Sequence, residues 1–242
     1  MESGKHARNR PARNPKKRSF APAAPLHCAQ TPESMRKYLV EFIGTFFLVF
    51  TVGATVIPPG AGPMAPLAIG ASLMVMIFAG GHVSGGHFNP AVTLAVWIRG
   101  KCETRDVVPY WVAQIGAALA AALLVSRIKM AGSATPLALS SWEPAFVAEF
   151  LFTFALCWVV LNVATSKGTA GNSFYGLAIG MTVMAGAYAV GPVSGGAFNP
   201  AVATGITVMG LSFWGNYWVL LAGEVAGSIV AAMAYKAVNG GE

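Results

Sequence analysis

The chain has 242 residues, 55% of them hydrophobic and 10% charged, against roughly a quarter charged in an ordinary soluble domain; this excludes a freely soluble globular protein and points to a lipid bilayer as solvent. The net charge of +7 is local, because residues 1–37 hold nine Lys/Arg and two acids and the remainder sums to zero, which argues against a nucleic-acid partner. Three cysteines, Cys28, Cys102 and Cys157, form neither an even framework nor a CxxC pair, so no disulfide and no metal site is implied.

In chain order, residues 1–36 are basic, rich in Pro and Asn and without apolar periodicity. They read as a disordered cytoplasmic tail, with contact to anionic headgroups or organelle targeting as alternatives. The first apolar run is of spanning length, not a short signal-peptide core. Spans are predicted near 38–57, 65–81, 107–127, 144–165, 173–190 and 214–235, each near the ~20 residues that cross the hydrocarbon core. Two further apolar segments, 89–98 and 199–209, reach only about half-way at the ~1.5 Å rise of a helix. The fold class expected is an all-α membrane protein, with six transmembrane helices and two re-entrant half-helices forming one domain over 37–237.

The domain is a repeat, 37–127 and 142–236. At an offset of 110, residues 67–100 match 177–210 at 17 of 34 positions, including VSGGHFNPAV from Val83 and VSGGAFNPAV from Val193. Glu41 recurs as Glu149, and Tyr110-Trp111-Val112 recurs as Tyr217-Trp218-Val219. Three spans per copy make the second copy enter from the opposite side, giving inverted repeats whose motifs face each other in mid-bilayer. Placing both termini inside puts fourteen Lys/Arg there and leaves Arg127 and Lys129 outside, in line with the positive-inside rule.

Non-helical backbone at membrane depth is tolerated only where protein covers it or it lines a wet cavity. The Gly-rich stretches 81–88 and 191–198 fit that exception and expose carbonyls as a ladder of acceptors. Asn89 and Asn199 sit at N-cap positions, with Pro90 and Pro200 at the first helical position, followed by Ala91 and Ala201. Two half-helices aimed at one point bring about +0.5 charge from each side, which repels cations and admits neutral hydrogen-bonding molecules. Glu41 and Glu149, carboxyls inside spans, are expected to accept hydrogen bonds from the loops' N–H groups and support them; proton carriage is the alternative. Gln114 is read as another intramembrane hydrogen-bonding group, with simple contact to a neighbouring helix as the alternative. Glu224 has no expected counterpart in the third span. His82 and His87 lack companions at ligand spacing, so a loop hydrogen-bonding or pH-gating role is expected before metal binding.

The stretches SGGHFNPAVT from Ser84, SGGAFNPAV from Ser194 and EFIGTFFLVF from Glu41 closely resemble the aquaporin/glycerol-facilitator (major intrinsic protein) family. The resemblance implies a right-handed six-helix bundle with a pore in each monomer, a homotetramer in a lipid bilayer, and no cofactor. It implies that Asn89 and Asn199 are the pore asparagines and that Glu41 and Glu149 are the loop-supporting glutamates. It also implies an outer constriction at Ile69, Ala187, Gly196 and Val202, found by counting from the motifs. Water-selective members usually carry an aromatic, a histidine, a small residue and an arginine there. Val202 stands where the arginine is expected, and no Lys or Arg occurs from 168 to 235.

The expectation is therefore a passive, multi-pass cell-membrane channel, both termini cytoplasmic, with a wide apolar filter. Small neutral solutes such as water, glycerol, urea, ammonia or hydrogen peroxide would pass. An inverted-repeat secondary transporter is the alternative; it would need an ion-coupling cluster, and the spans supply only Glu41, Glu149 and Glu224 as acids. No nucleophile–base pair or phosphate loop points to an enzyme.

Overall fold

The computed structural model describes residues 32–129 and 134–240. Residues 1–31, most of the expected tail, lie outside the described residues. Eight α-helices are described: α1 (Glu33–Val56), α2 (Ala65–Ser84), α3 (Pro90–Ile98), α4 (Thr104–Ile128), α5 (Trp142–Val160), α6 (Tyr175–Ser194), α7 (Pro200–Val208) and α8 (Tyr217–Val238). Pro32 stands at the start of α1, so the helix begins within the last four positions assigned to the tail. A π-helical turn, Leu161–Thr165, prolongs α5, which matches the predicted end of the fourth span.

Among the described residues six helices are long and apolar enough to cross a membrane, and fewer than half of the residues in each apolar window are buried within the protein. The remaining apolar faces, such as Leu123 on α4 and Met233 on α8, are left to hydrocarbon. α3 and α7 have nine residues each, about 14 Å of helix, and stop mid-way.

Packing follows the repeat. α1 lies on α2 and α4, as α5 lies on α6 and α8. Each half-helix also packs against the last long helix of the other repeat, α3 on α8 and α7 on α4, which interlocks the halves. Lipid tails give apolar helices no hydrophobic reason to associate, so close van der Waals approach must hold them together, and small residues permit it. On α4, Ala117, Ala118, Ala121 and Ala122 are fully buried. Where α2 crosses α6 the backbones touch: a Cβ on Gly70 would stand 2.6 Å from the Gly180 carbonyl oxygen, and one on Gly180 would stand 2.4 Å from that of Gly70.

Gly180→Val therefore forces two backbones apart and should destabilise the fold by about 1–3 kcal/mol or more. Gly116→Ala, where a Cβ meets nothing within 4 Å, should stabilise by up to about 1 kcal/mol. Thermal unfolding of the purified protein in detergent checks both, and equal midpoints for the two variants would contradict this packing account.

Candidate functional site

α2 and α6 each end on a glycine in the left-handed region, Gly85 at φ 90° and Gly195 at φ 99°, followed by Gly86 at 64° and Gly196 at 65°. Side-chain-bearing residues rarely adopt these angles, which explains the paired glycines. Phe88 and Phe198 then adopt φ 48° and 50°, a genuine outlier for a bulky residue. The strain is held by packing. The Phe88 ring occupies the space a Cβ on Gly44 would need, and the Phe198 ring does the same at Gly186.

The turn at each Phe brings the two loops into contact. Asn89 Nδ2 donates to the Phe198 carbonyl at 2.9 Å and Asn199 Nδ2 donates to the Phe88 carbonyl at 2.9 Å. Asn89 Oδ1 accepts from Ala91 N at 2.8 Å and Asn199 Oδ1 accepts from Ala201 N at 2.9 Å, so each asparagine caps its own half-helix. A side-chain amide has two N–H bonds. One of the two ties the loops together.

Behind the loops stand the two glutamates, both fully buried. Glu41 Oε1 accepts from Ser84 Oγ at 2.7 Å and His87 N at 2.9 Å; Oε2 accepts from Phe88 N at 2.7 Å and Gln114 Nε2 at 2.8 Å. Glu149 repeats three of these contacts, with Ser194 Oγ at 2.7 Å, Ala197 N at 3.0 Å and Phe198 N at 2.7 Å. These bonds give the loop N–H groups of His87, Phe88, Ala197 and Phe198 the acceptors that hydrocarbon cannot supply. Gln114 also donates to Thr93 Oγ1 at 3.0 Å.

A cavity of about 520 Å³ opens from this junction. It is lined by loop residues Gly86, His87 and Gly195–Ala197 together with the aliphatic side chains of Leu48, Leu73, Leu156, Val160, Ile179 and Val183. Asn89 and Asn199 both reach it, as do Ile69, Ala187, Gly196 and Val202, so all four positions counted from the motifs lie on a single cavity. Val202 is nearly buried in the first turn of α7. Gly196 has no room to grow, since a Cβ there would lie 3.3 Å from Gly191 Cα.

His87 is buried and lies on the cavity wall, with Nδ1 3.1 Å from Thr93 Oγ1 and its ring against Tyr110 at 5.2 Å. His82 is exposed, so the two histidines do not form a cluster. Among the described residues no group of three or more His, Cys, Asp or Glu could hold a metal ion.

Thr135 and Leu137, from the segment before α5, also line the cavity. Leu137 is held there by its N–H donating to the Leu211 carbonyl at 3.0 Å. Nothing in their sequence context signalled this position, because it depends on a long-range contact. The expected match of the two Tyr-Trp-Val tripeptides does not carry over to the site. Tyr110 donates to the Ser84 carbonyl, whereas the Tyr217 hydroxyl pairs with Thr204 Oγ1. The tripeptides, 107 apart, differ by about one turn from the offset of 110 that relates the loops.

The sequence pattern of the family described as Major intrinsic protein (MIP) matches residues 28–235. The chain belongs to the major intrinsic protein family. It is 36% identical over 214 residues to Aquaporin NIP1-4 of Oryza sativa subsp. japonica, covering 85% of this chain and 77% of that protein. It is 38% identical over 214 residues to Glycerol uptake facilitator protein-like 6 of Lactiplantibacillus plantarum, covering 85% of this chain and 99% of that protein. The aquaglyceroporin structure from Plasmodium falciparum shares the fold, with a TM-score of 0.72 at 23% identity, covering 85% of this chain and 97% of that one. As a major intrinsic protein it is an integral, multi-pass membrane channel for small neutral solutes of the water and glycerol type, and not an enzyme.

Glu41→Leu leaves four buried donors without an acceptor, at about 1–3 kcal/mol each. Solute flux in proteoliposomes should be lost and the thermal midpoint should fall well below that of Ser84→Ala, which removes only one of those donors. Equal midpoints and equal flux for the two variants would contradict the support role.

Proposed function

We propose that this major intrinsic protein is a broad channel for small neutral solutes, passing glycerol, urea, ammonia and hydrogen peroxide along with water. Its selectivity filter is formed by Ile69, Ala187, Gly196 and Val202. The observation that carries this reading is the character of those four cavity-lining positions. None has a charge or a side-chain hydrogen-bond donor, and none is aromatic. An arginine at 202 would put a guanidinium with five donors and a fixed positive charge on the wall. Valine leaves the wall wider and apolar. A glycerol-like molecule has a hydroxylated edge and a carbon edge, which suit the polar loop residues and the aliphatic side chains of the lining respectively. The relative named for glycerol uptake, 38% identical, supports the same direction.

In this reading Asn89-Pro90-Ala91 and Asn199-Pro200-Ala201 are the pore motifs, and Glu41 and Glu149 hold the loops. The two half-helix N-termini raise the energy of a cation at the centre. The charge bias of the loops supports a cell-membrane orientation with both termini, including the basic tail over 1–36, on the cytoplasmic side. The assembly proposed is a homotetramer with one pore per subunit.

Stopped-flow light scattering on proteoliposomes tests the filter. The wild-type protein should pass glycerol and urea as well as water. Val202→Arg should reduce glycerol flux by about tenfold, equivalent to ~1.4 kcal/mol at the barrier, and spare water more than glycerol. Water passage alone in the wild type, or an unchanged solute range in the variant, would overturn the proposal. Planar-bilayer recording should show no Na⁺ or K⁺ current from the wild-type protein, and a substantial one would contradict the electrostatic account.

A further inference from the structure

The two repeats support their loops with different chemistry on the last long helix. In the first, Gln114 of α4 supplies the fourth donor to Glu41, at 2.8 Å. The position 110 residues later is Glu224 of α8. Glu224 is fully buried, and its Oε1 accepts from the backbone N of Asn199 at 2.9 Å. Gln114 Oε1 and Glu224 Oε2 are both buried without a hydrogen-bond partner among the described residues. At the offset that relates the loops, Glu224 thus has a buried polar counterpart in Gln114, contrary to the expectation that it had none.

The substitution leaves a deficit in hydrogen bonding and in charge. Glu149 has three protein donors where Glu41 has four, and the missing one is the amide that Glu224 replaces. Gln114 also donates to Thr93, whereas the residue 110 positions on is Ala203, with no hydroxyl to share. α8 approaches α5 closely at this level, for a Cβ on Gly223 would stand 2.9 Å from Glu149 Cβ. No Lys or Arg lies between Lys167 and Lys236 to neutralise a second carboxylate. Two neighbouring carboxyls in an apolar interior cannot both ionise, and a shared proton resolves the conflict, as in other carboxyl pairs.

We propose that Glu224 is a positioning residue of the second half-loop and shares one proton with Glu149, so that an acid–carboxylate pair stands where the first repeat has an amide–carboxylate pair. The shared O–H supplies the fourth hydrogen bond to the Glu149–Glu224 pair. Glu224 also fixes Asn199 through its backbone N–H, and with it the direction of the free Nδ2–H toward the solute. The effect on transport rests on the reading of Asn199 as a pore asparagine; the proton itself does not.

The test uses the full chain in lipid. Infrared difference spectroscopy between wild type and Glu224→Gln should show the carbonyl stretch of one protonated carboxylic acid in the wild type and none in the variant. Glycerol flux should stay within about twofold of wild type in Glu224→Gln, because glutamine restores the first repeat's chemistry. It should fall about tenfold in Glu224→Leu, which leaves Asn199 N–H without an acceptor. Absence of the acid band in the wild type, its persistence in Glu224→Gln, or equal loss of flux in both variants would overturn the proposal. Should the wild type pass no solute, the functional reading fails, while the infrared band still decides the shared proton; should Glu224→Leu not fold, the band and the Glu224→Gln flux decide.

Discussion

A polypeptide that leaves helical geometry inside a bilayer must find partners for its own backbone there, because hydrocarbon offers none. The rest of this structure depends on how that need is met. Two buried glutamates, one on α1 and one on α5, accept the N–H groups of the loops after α2 and α6. The same bonds fix each Phe-Asn corner, so the half-helices begin at a defined depth and aim at each other. A stretch of chain that would be prohibitively costly in lipid is thereby satisfied where it lines the cavity.

The inverted repeat turns one local solution into a closed arrangement. Each loop alone would leave an asparagine N–H unused and a phenylalanine carbonyl bare. Placed face to face, they satisfy each other through Asn89 with Phe198 and Asn199 with Phe88. The strained φ values of both phenylalanines are tolerable because their rings fill space kept open by Gly44 and Gly186. Constraint on one repeat is thereby constraint on the other. The packing of α3 on α8 and α7 on α4 carries this interlock through the whole bundle. Part of the cavity lining, by contrast, comes from side chains such as Ile69, Ala187 and Val202 that take no part in these bonds. Ile69 and Val202 can vary in size and polarity while the loops stay in place, so in the proposed reading selectivity is separable from fold.

Much of this was legible in the sequence because it follows from composition and duplication. Apolar runs of spanning length gave the long helices to within a few residues at most ends, and the Asn-Pro pairs marked the starts of α3 and α7. Glu41 and Glu149 could be read as loop supports because a carboxyl inside a span needs donors and the neighbouring loops need acceptors. Other features were hidden by three-dimensional context. The left-handed phenylalanines leave no compositional mark, since their angles are imposed by the rings' packing. Thr135 and Leu137 reach the cavity through a pairing with residue 211. Glu224 was within reach: its distance of 110 from Gln114 is the offset that relates the loops, and the Tyr-Trp-Val match at 107 obscured it.

In the proposed reading a solute finds its hydrogen bonds at the junction of the two loops during passage. A cryo-electron-microscopy structure of the full chain in a lipid nanodisc with glycerol present tests this most directly. It should show solute density within hydrogen-bond reach of Asn89 Nδ2 and Asn199 Nδ2 and along the loop carbonyls, with carbon edges toward Leu48, Val183 and the other aliphatic side chains of the lining. Solute bound only outside the junction, or a junction closed to it by the two phenylalanine corners, would contradict the account.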